Sequence, residues 1–436
     1  MPQQINRREF LKRSAMGAAG VAVASMFAPG ARVLGANDRV RVGVVGVGSR
    51  AGWLMKDFQR YAEELNMQLV ASCDIWNAAR ERGAARIEEL TGAKALQFRN
   101  LEEICERDDI DALIIATADF QHARHCAYAI RAGKDVYVEK PLANDLDDAK
   151  DVLRASQETN QIVQVGTQRR SEGKYAVARE FVASGQLGTI TYVEGSWNYF
   201  GPRWRRGSPE EVESELTEAD TDWQRFLCGR PYEPFDPHKY REFRLYWPYS
   251  SGIPCQWMSH IIDIIQYVMD DPYPSSVVAH GGVYIWKDGR KNVDTFQALL
   301  EYPKGYLVSY STRFGNDSSL GSGIIIYGSN GRMDMESLEV SGAGGGGSVI
   351  IEQREREPYR VRIDASTKIQ SEYRLPEGEG VDHMRNWMEC VRSRRQTNAP
   401  IEAGYSHSIA TIMAIRSLHT GRKITFDPAS HTMSEA

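Results

Sequence analysis

Residues 40–51 read VRVGVVGVGSRA, an apolar run from Val40 to Val45 that breaks into Gly46-x-Gly48-x-x-Ala51. Helically spaced apolar residues come next at Trp53, Leu54, Phe58 and Tyr61. Glycine at a strand-to-helix turn lets the main chain approach a pyrophosphate, which the free N–H groups of the helix's first turn can bind. Gly46, Gly48, Ser49 and Arg50 would face it. A glycine pair alone does not define a fold; the succession of strands and helices after it does.

A second apolar strand ends on Asp74, about 23 residues beyond Ala51, the spacing of an acid that binds ribose hydroxyls. Asp74 could instead cap the next helix, and the glycine turn upstream favours ribose. The alternation continues with a helix over 77–89, strands over 95–98 and 111–117, a helix over 121–132, a strand over 135–140, a helix over 146–159 and a strand over 162–166. Such regular alternation predicts a Rossmann-type, doubly wound parallel sheet in an α/β domain over 37–166.

Beyond residue 166 the pattern changes to period-two alternation, at 189–199, 277–286, 294–302, 306–313 and 324–328, with helices over 175–184, 222–227, 257–269, 381–394 and 406–418. This predicts an α+β domain over 167–436 built on a largely antiparallel open sheet with one face covered. An open face of long strands makes a dimer or tetramer the default expectation. SGAGGGGS, 341–348, reads as a flexible loop.

The chain resembles the glucose-fructose oxidoreductase, inositol dehydrogenase and MocA family (Gfo/Idh/MocA). The resemblance rests on GVVGVGSRAG, on IIATADFQHARHCAYAIRAGKDVYVEKPL with its EKP signature, and on SSGIPCQWMSHIIDII. It implies an NAD(P)-dependent enzyme acting on a carbohydrate hydroxyl. It also implies that Thr117 and His122 contact the cofactor at a strand end, that Glu139 and Lys140 of EKP lie beside the nicotinamide, and that Gln168 and Arg169 face the nicotinamide edge.

Chemistry supports the resemblance at two places. Lys140 ends its strand, where open α/β sheets place ligands, with Pro141 fixing the turn; a lysine there can stabilise negative charge on a reacting oxygen. Gln256 and His260 are four apart, so both can point into one cleft, and histidine titrates in the range suited to removing a hydroxyl proton. By resemblance His260 is that base. The chain departs from the family at Gln256, where aspartate is usual. Glutamine can hold a hydroxyl or orient His260 but cannot accept a proton, which leaves Lys140 and His260 as the acid–base pair. Asp263 is expected to support the helix.

WNYFGPRWRR, residues 197–206, interleaves aromatics with arginines. Tyr199 and Trp204 offer faces for the C–H side of a sugar, while Arg169 and Arg205 can donate to hydroxyls or carboxylates. The segment would serve equally at a subunit contact.

NAD is favoured over NADP, because Asp74 repels a 2′-phosphate. The composition, 42% apolar with a net charge of −5, excludes a nucleic-acid partner, and the six scattered cysteines have no zinc spacing. No metal is expected.

At the start of the chain, NRREFLKRS precedes the soft apolar run AMGAAGVAVASMFA. Paired arginines ahead of such a run have the layout of a twin-arginine (Tat) export signal over 1–36, cleaved within ARVLGAN. The run is shorter than the roughly 20 residues of a bilayer span, so no stable membrane insertion is expected. The Tat machinery carries folded proteins. A periplasmic enzyme with tightly bound NAD is the expectation.

Overall fold

The computed structural model describes residues 38–318, 323–352 and 360–436; the expected leader lies outside them. Strands β1 (Val40–Val45), β2 (Met67–Cys73), β3 (Leu96–Phe98), β4 (Ala112–Ile115), β5 (Asp135–Val138) and β6 (Val163–Val165) form one parallel sheet. Their order is β3-β2-β1-β4-β5-β6. Every residue of β4 and β5 is buried, which is why those strands read as apolar runs without alternation. The order reverses between β1 and β4, the place where doubly wound sheets open a ligand crevice beyond their carboxyl ends.

One face of this sheet is covered by helix Ser49–Gln59, through Leu54, Met55 and Phe58, and by helix His383–Ser393, through Met384, Trp387, Met388 and Val391. The second helix comes from the far end of the chain and crosses the division expected at residue 166. His383 fastens it: Nδ1 accepts from Ser171 Oγ at 2.7 Å and Nε2 donates to the Val165 carbonyl at 2.9 Å. Helices His122–Arg131 and Leu146–Glu158 cover the other face.

The second sheet has ten strands. All its pairings are antiparallel except that of Ile190–Ser196 with Tyr306–Arg313. Strand Thr295–Tyr302 alternates buried and exposed residues, so one face packs inward while the other presents Val278, Leu299 and Leu307. Helix Ile401–Thr420 lies between the two sheets. It is longer than the expected 406–418 because its first turn, Ile401 and Ala403 to Tyr405, is already buried.

The expected helix over 257–269 begins instead as a π-helical turn, Pro254–Met258, and becomes α-helical over Ser259–Met269. All six cysteines are free, five of them buried. Among the described residues, no helix is long and apolar enough to cross a membrane.

Candidate active site

The carboxyl ends of β1, β2 and β4 open onto a cavity of about 940 Å³. Gly46 holds φ at +80°, and a Cβ there would lie 2.7 Å from the Thr117 main chain, so close approach of two strand ends requires glycine. At Gly48 a Cβ would meet nothing within 4 Å. Protein packing does not call for glycine there, whereas a ligand lying on the main chain does. Gly48 also precedes helix Ser49–Gln59 with no side chain capping the first-turn N–H groups. An uncapped helix start beside an open glycine fits a pyrophosphate.

Asp74 sits in the same cavity. Its Oδ2 accepts from Val47 N at 2.7 Å and Oδ1 from Trp76 N at 2.9 Å. The carboxylate thus ties the glycine loop to the start of the next helix. Each oxygen keeps a second lone pair for a ribose hydroxyl. Asp74 braces the turn ahead of the helix without capping its first-turn N–H groups, which leaves ribose binding open to it. These features fit a nicotinamide dinucleotide.

A smaller cavity of about 290 Å³ adjoins it, lined by Lys140, Gln256 and His260 together with Trp197, Trp204 and Trp257. Lys140 Nζ donates to the Gln256 carbonyl oxygen at 2.7 Å and lies 3.4 Å from Gln256 Oε1. The π turn carries both acceptors, an irregularity often found where a helix serves a site. Burial lowers the Lys140 pKa, while Glu139 and Asp119 oppose the drop.

His260 packs against the Trp197 ring at 5.8 Å, and neither ring nitrogen bonds to a protein group among the described residues. Burial, reinforced by the positive charges of Lys140 and Arg169, holds its pKa well below the usual 6.5. His260 is therefore neutral, and free to accept a proton, at physiological pH.

The other expected residues divide into those that line this space and those that brace it. Thr117, His122, Glu139, Gln168 and Arg50 line the smaller cavity. Arg50 Nε donates to Glu139 Oε1 at 2.7 Å, joining the glycine-turn helix to the EKP strand. Gln168 Nε2 reaches Tyr137 Oη at 3.3 Å. His122 is held through Nδ1 by the Pro141 carbonyl at 2.8 Å, so it fixes the turn that presents Lys140. Ser49 is exposed at the helix start, on the wall of the larger cavity.

Three of the four residues expected to bind substrate do not line the smaller cavity. Arg205 is spent on ion pairs with Glu242 and Asp288. Arg169 is engaged by Tyr175 Oη and Glu336 and lies behind Trp197. Tyr199 braces Trp257 edge-on. Only Trp204 reaches the wall, where Arg50 is joined by two further arginines, Arg203 and Arg244, that are not among the substrate residues expected from the sequence. Asp263 does support its helix, 2.9 Å from Arg170 Nε.

Sequence reasoning also missed Asp119, a buried carboxylate whose Oδ2 accepts from Gln256 Nε2 and from Ser250 Oγ, each at 2.6 Å. Its signal was available: an acid two residues past Thr117, at the end of the strand beside the crevice.

Fold and cleft together define an oxidoreductase built on a Rossmann nucleotide-binding domain. Residues 40–167 match the oxidoreductase family's NAD-binding Rossmann fold and residues 229–426 its C-terminal alpha/beta domain. The chain belongs to the Gfo/Idh/MocA oxidoreductase family. It is 31% identical to inositol 2-dehydrogenase of Rubrobacter xylanophilus over 37% of this chain and 44% of that protein. It is 28% identical to glycosyl hydrolase family 109 protein 1 of Bacteroides thetaiotaomicron over 38% of each. The chain thus spans less than half the length of these curated relatives. WlbA dehydrogenase from Bordetella pertussis, solved with NADH and UDP-GlcNAcA, shares the fold at a TM-score of 0.62 and 18% identity, over 89% of this chain and 99% of that one.

Proposed function

We propose that the protein is an exported oxidoreductase that transfers hydride between a tightly held NAD(H) and a carbohydrate hydroxyl. The observation that carries this reading is the convergence of Lys140 and an unpartnered, neutral His260 in a tryptophan-walled cavity beside the dinucleotide cleft. The dinucleotide, held by the Gly46–Arg50 turn and Asp74, supplies the hydride acceptor. Lys140 donates a hydrogen bond to the reacting oxygen and stabilises its developing negative charge. His260 takes the hydroxyl proton. The indole faces hold the sugar's C–H surface and exclude water, and Arg203 and Arg244 donate to its hydroxyl or carboxylate oxygens.

Tight retention is supported by the segment 206–244, which supplies Arg206, Gln224, Tyr240, Arg241 and Arg244 to the wall of the larger cavity. The twin-arginine leader supports export after folding, and a cofactor loaded in the cytoplasm would then travel with the protein. With no exchangeable pool outside, the bound cofactor is recycled in place. A second reading is favoured by the resemblance to the family 109 glycosyl hydrolase: a redox-neutral cleavage, in which a transient ketone acidifies the neighbouring C–H so that the glycosidic oxygen is eliminated. Oligomerisation through the open sheet face is part of the proposal.

The test is to purify the exported protein, release its nucleotide with acid, and follow the nucleotide's redox state as glycosides are added. Accumulating NADH supports oxidation; a released aglycone without net NADH supports the second reading. A nucleotide-free protein that is active contradicts both.

A further inference from the structure

Asp119 is buried in the turn after β4 and makes no direct ion pair among the described residues. Its Oδ2 collects three donors, Gln256 Nε2 and Ser250 Oγ at 2.6 Å and Cys255 Sγ at 3.2 Å. Oδ1 is buried and has no hydrogen-bond partner. Burying a carboxylate is costly; the positive charges of Arg244 and Lys140 and the donors of Ser250 and Gln256 offset that cost and keep it ionised, but they do not explain why an acid stands there.

The reason lies on the far side of the Gln256 amide. Nε2 points at the carboxylate, so Oε1 must point the other way, and it does, 3.4 Å from Lys140 Nζ. Turning the amide over would set its oxygen against Asp119 and its NH₂ against the ammonium, repulsive at both ends. Asp119, Gln256 and Lys140 form a polarised chain from anion through amide to cation.

We propose that Asp119 is a positioning residue that acts through the Gln256 amide to aim the Lys140 ammonium and keep it protonated. This rests on the reading of Lys140 as the group that stabilises the reacting oxygen. The charged or titratable groups facing Lys140 are Glu139 beside it in the turn after β5, Asp119 from the β4 turn, Cys255 and His260 from the helical segment, and Arg244 from the 206–244 segment. Glu139 is paired with Arg50. Glu139 and then Asp119 oppose the effect of burial on the lysine, and Asp119 is the one of the two that reaches it through the Gln256 amide.

The experiment is a carbon NMR titration of Lys140 in the holoprotein labelled at lysine Cε, with the resonance identified by its loss in Lys140→Arg. Asp119→Asn should lower the Lys140 midpoint by about 1.5 pH units, the order expected of a charge removed about 8 Å away, across the intervening amide, at an effective dielectric near 20. The alkaline limb of NAD reduction should move with it. Asp119→Ser, smaller and equally neutral, should do the same if the amide disturbs the fold. In the double variant Asp119→Asn with Gln256→Glu, a carboxylate again faces Lys140 and the midpoint should return, which no structural repair would achieve. An unchanged midpoint in both neutral variants, or a fall that the double variant leaves uncorrected, overturns the proposal. If no sugar reduces the bound NAD, the functional reading fails while the titration still decides the role of Asp119.

Discussion

Lys140 Nζ bonds the main-chain carbonyl of Gln256 at 2.7 Å, so the lysine two residues beyond β5 is fastened to the helical segment that carries His260. The two come from opposite halves of the chain, and one hydrogen bond sets their spacing. A group held at both ends loses little freedom when a substrate binds, which is the benefit of preorganisation.

The glycine turn offers a clean separation of fold from ligand. Gly46→Ala places a Cβ against Thr117 at a φ of +80°, and should cost about 1–3 kcal/mol of stability with or without nucleotide. Gly48→Ala meets no protein atom within 4 Å and has φ −84°, so it should leave the melting of the nucleotide-free protein within about 0.5 kcal/mol. Its nucleotide content should fall nonetheless. Thermal melts beside acid-released nucleotide measure both, and loss of apo stability at Gly48 would contradict the assignment.

Asp74→Ser should narrow the preference for NAD over NADP by about tenfold or more, because a hydroxyl does not repel a phosphate as a carboxylate does. It should also weaken binding of both dinucleotides, since the Val47 N–H loses its acceptor. Titration of the emptied protein with each nucleotide reads both effects. A wild-type protein that already carries NADP would refute the role given to Asp74.

His383 links stability to pH. Burial depresses its pKa to about 4 from the ordinary 6.5, and the bonds to Ser171 and Val165 suit a neutral ring with its proton on Nε2. Between those values the unfolded chain binds the proton and the folded one does not, so stability is lost as pH falls from 6.5 toward 4. Each such histidine contributes a slope of roughly 1.4 kcal/mol per pH unit. His125, also depressed to about 4, adds a second. His383→Gln should flatten the acid side of a denaturation-midpoint profile by one proton's worth, and an unchanged slope would contradict the neutral assignment.

The parallel sheet and its glycine turn were legible because buried parallel strands leave apolar runs and the cofactor turn leaves glycines. Helix His383–Ser393 was visible as a helix, but its apolar stripe at Met384, Trp387, Met388 and Val391 does not say which sheet it covers. At the site, Lys140 and His260 were singled out by the family resemblance, with strand-end position and helical spacing only consistent with it. The role of Arg205 was not readable, because an arginine beside aromatics looks the same whether it faces solvent, a sugar, or the buried Glu242 that claims it. Asp119 escaped because its partner lies 137 residues away in sequence.

Replacing Arg7 and Arg8 by lysine should hold the protein in the cytoplasm with its nucleotide bound. Fractionation with an assay of released nucleotide checks this, and normal export of the lysine variant would contradict the twin-arginine reading.

Rapid single-turnover absorbance at the NADH band tests the central claim most directly, since it watches the bound cofactor and needs no second substrate. Lys140→Ala and His260→Ala should each retain NAD yet slow its reduction by sugar by about 10²-fold or more, the usual weight of a positioned acid, base or charge. In the wild type the rate should hold from neutral pH to below 6.5, because His260 stays neutral there, and should fall only as pH drops through its depressed pKa. His260→Ala should lose that acid limb. Wild-type rates in both variants would contradict the account and leave the family membership describing the fold without the mechanism.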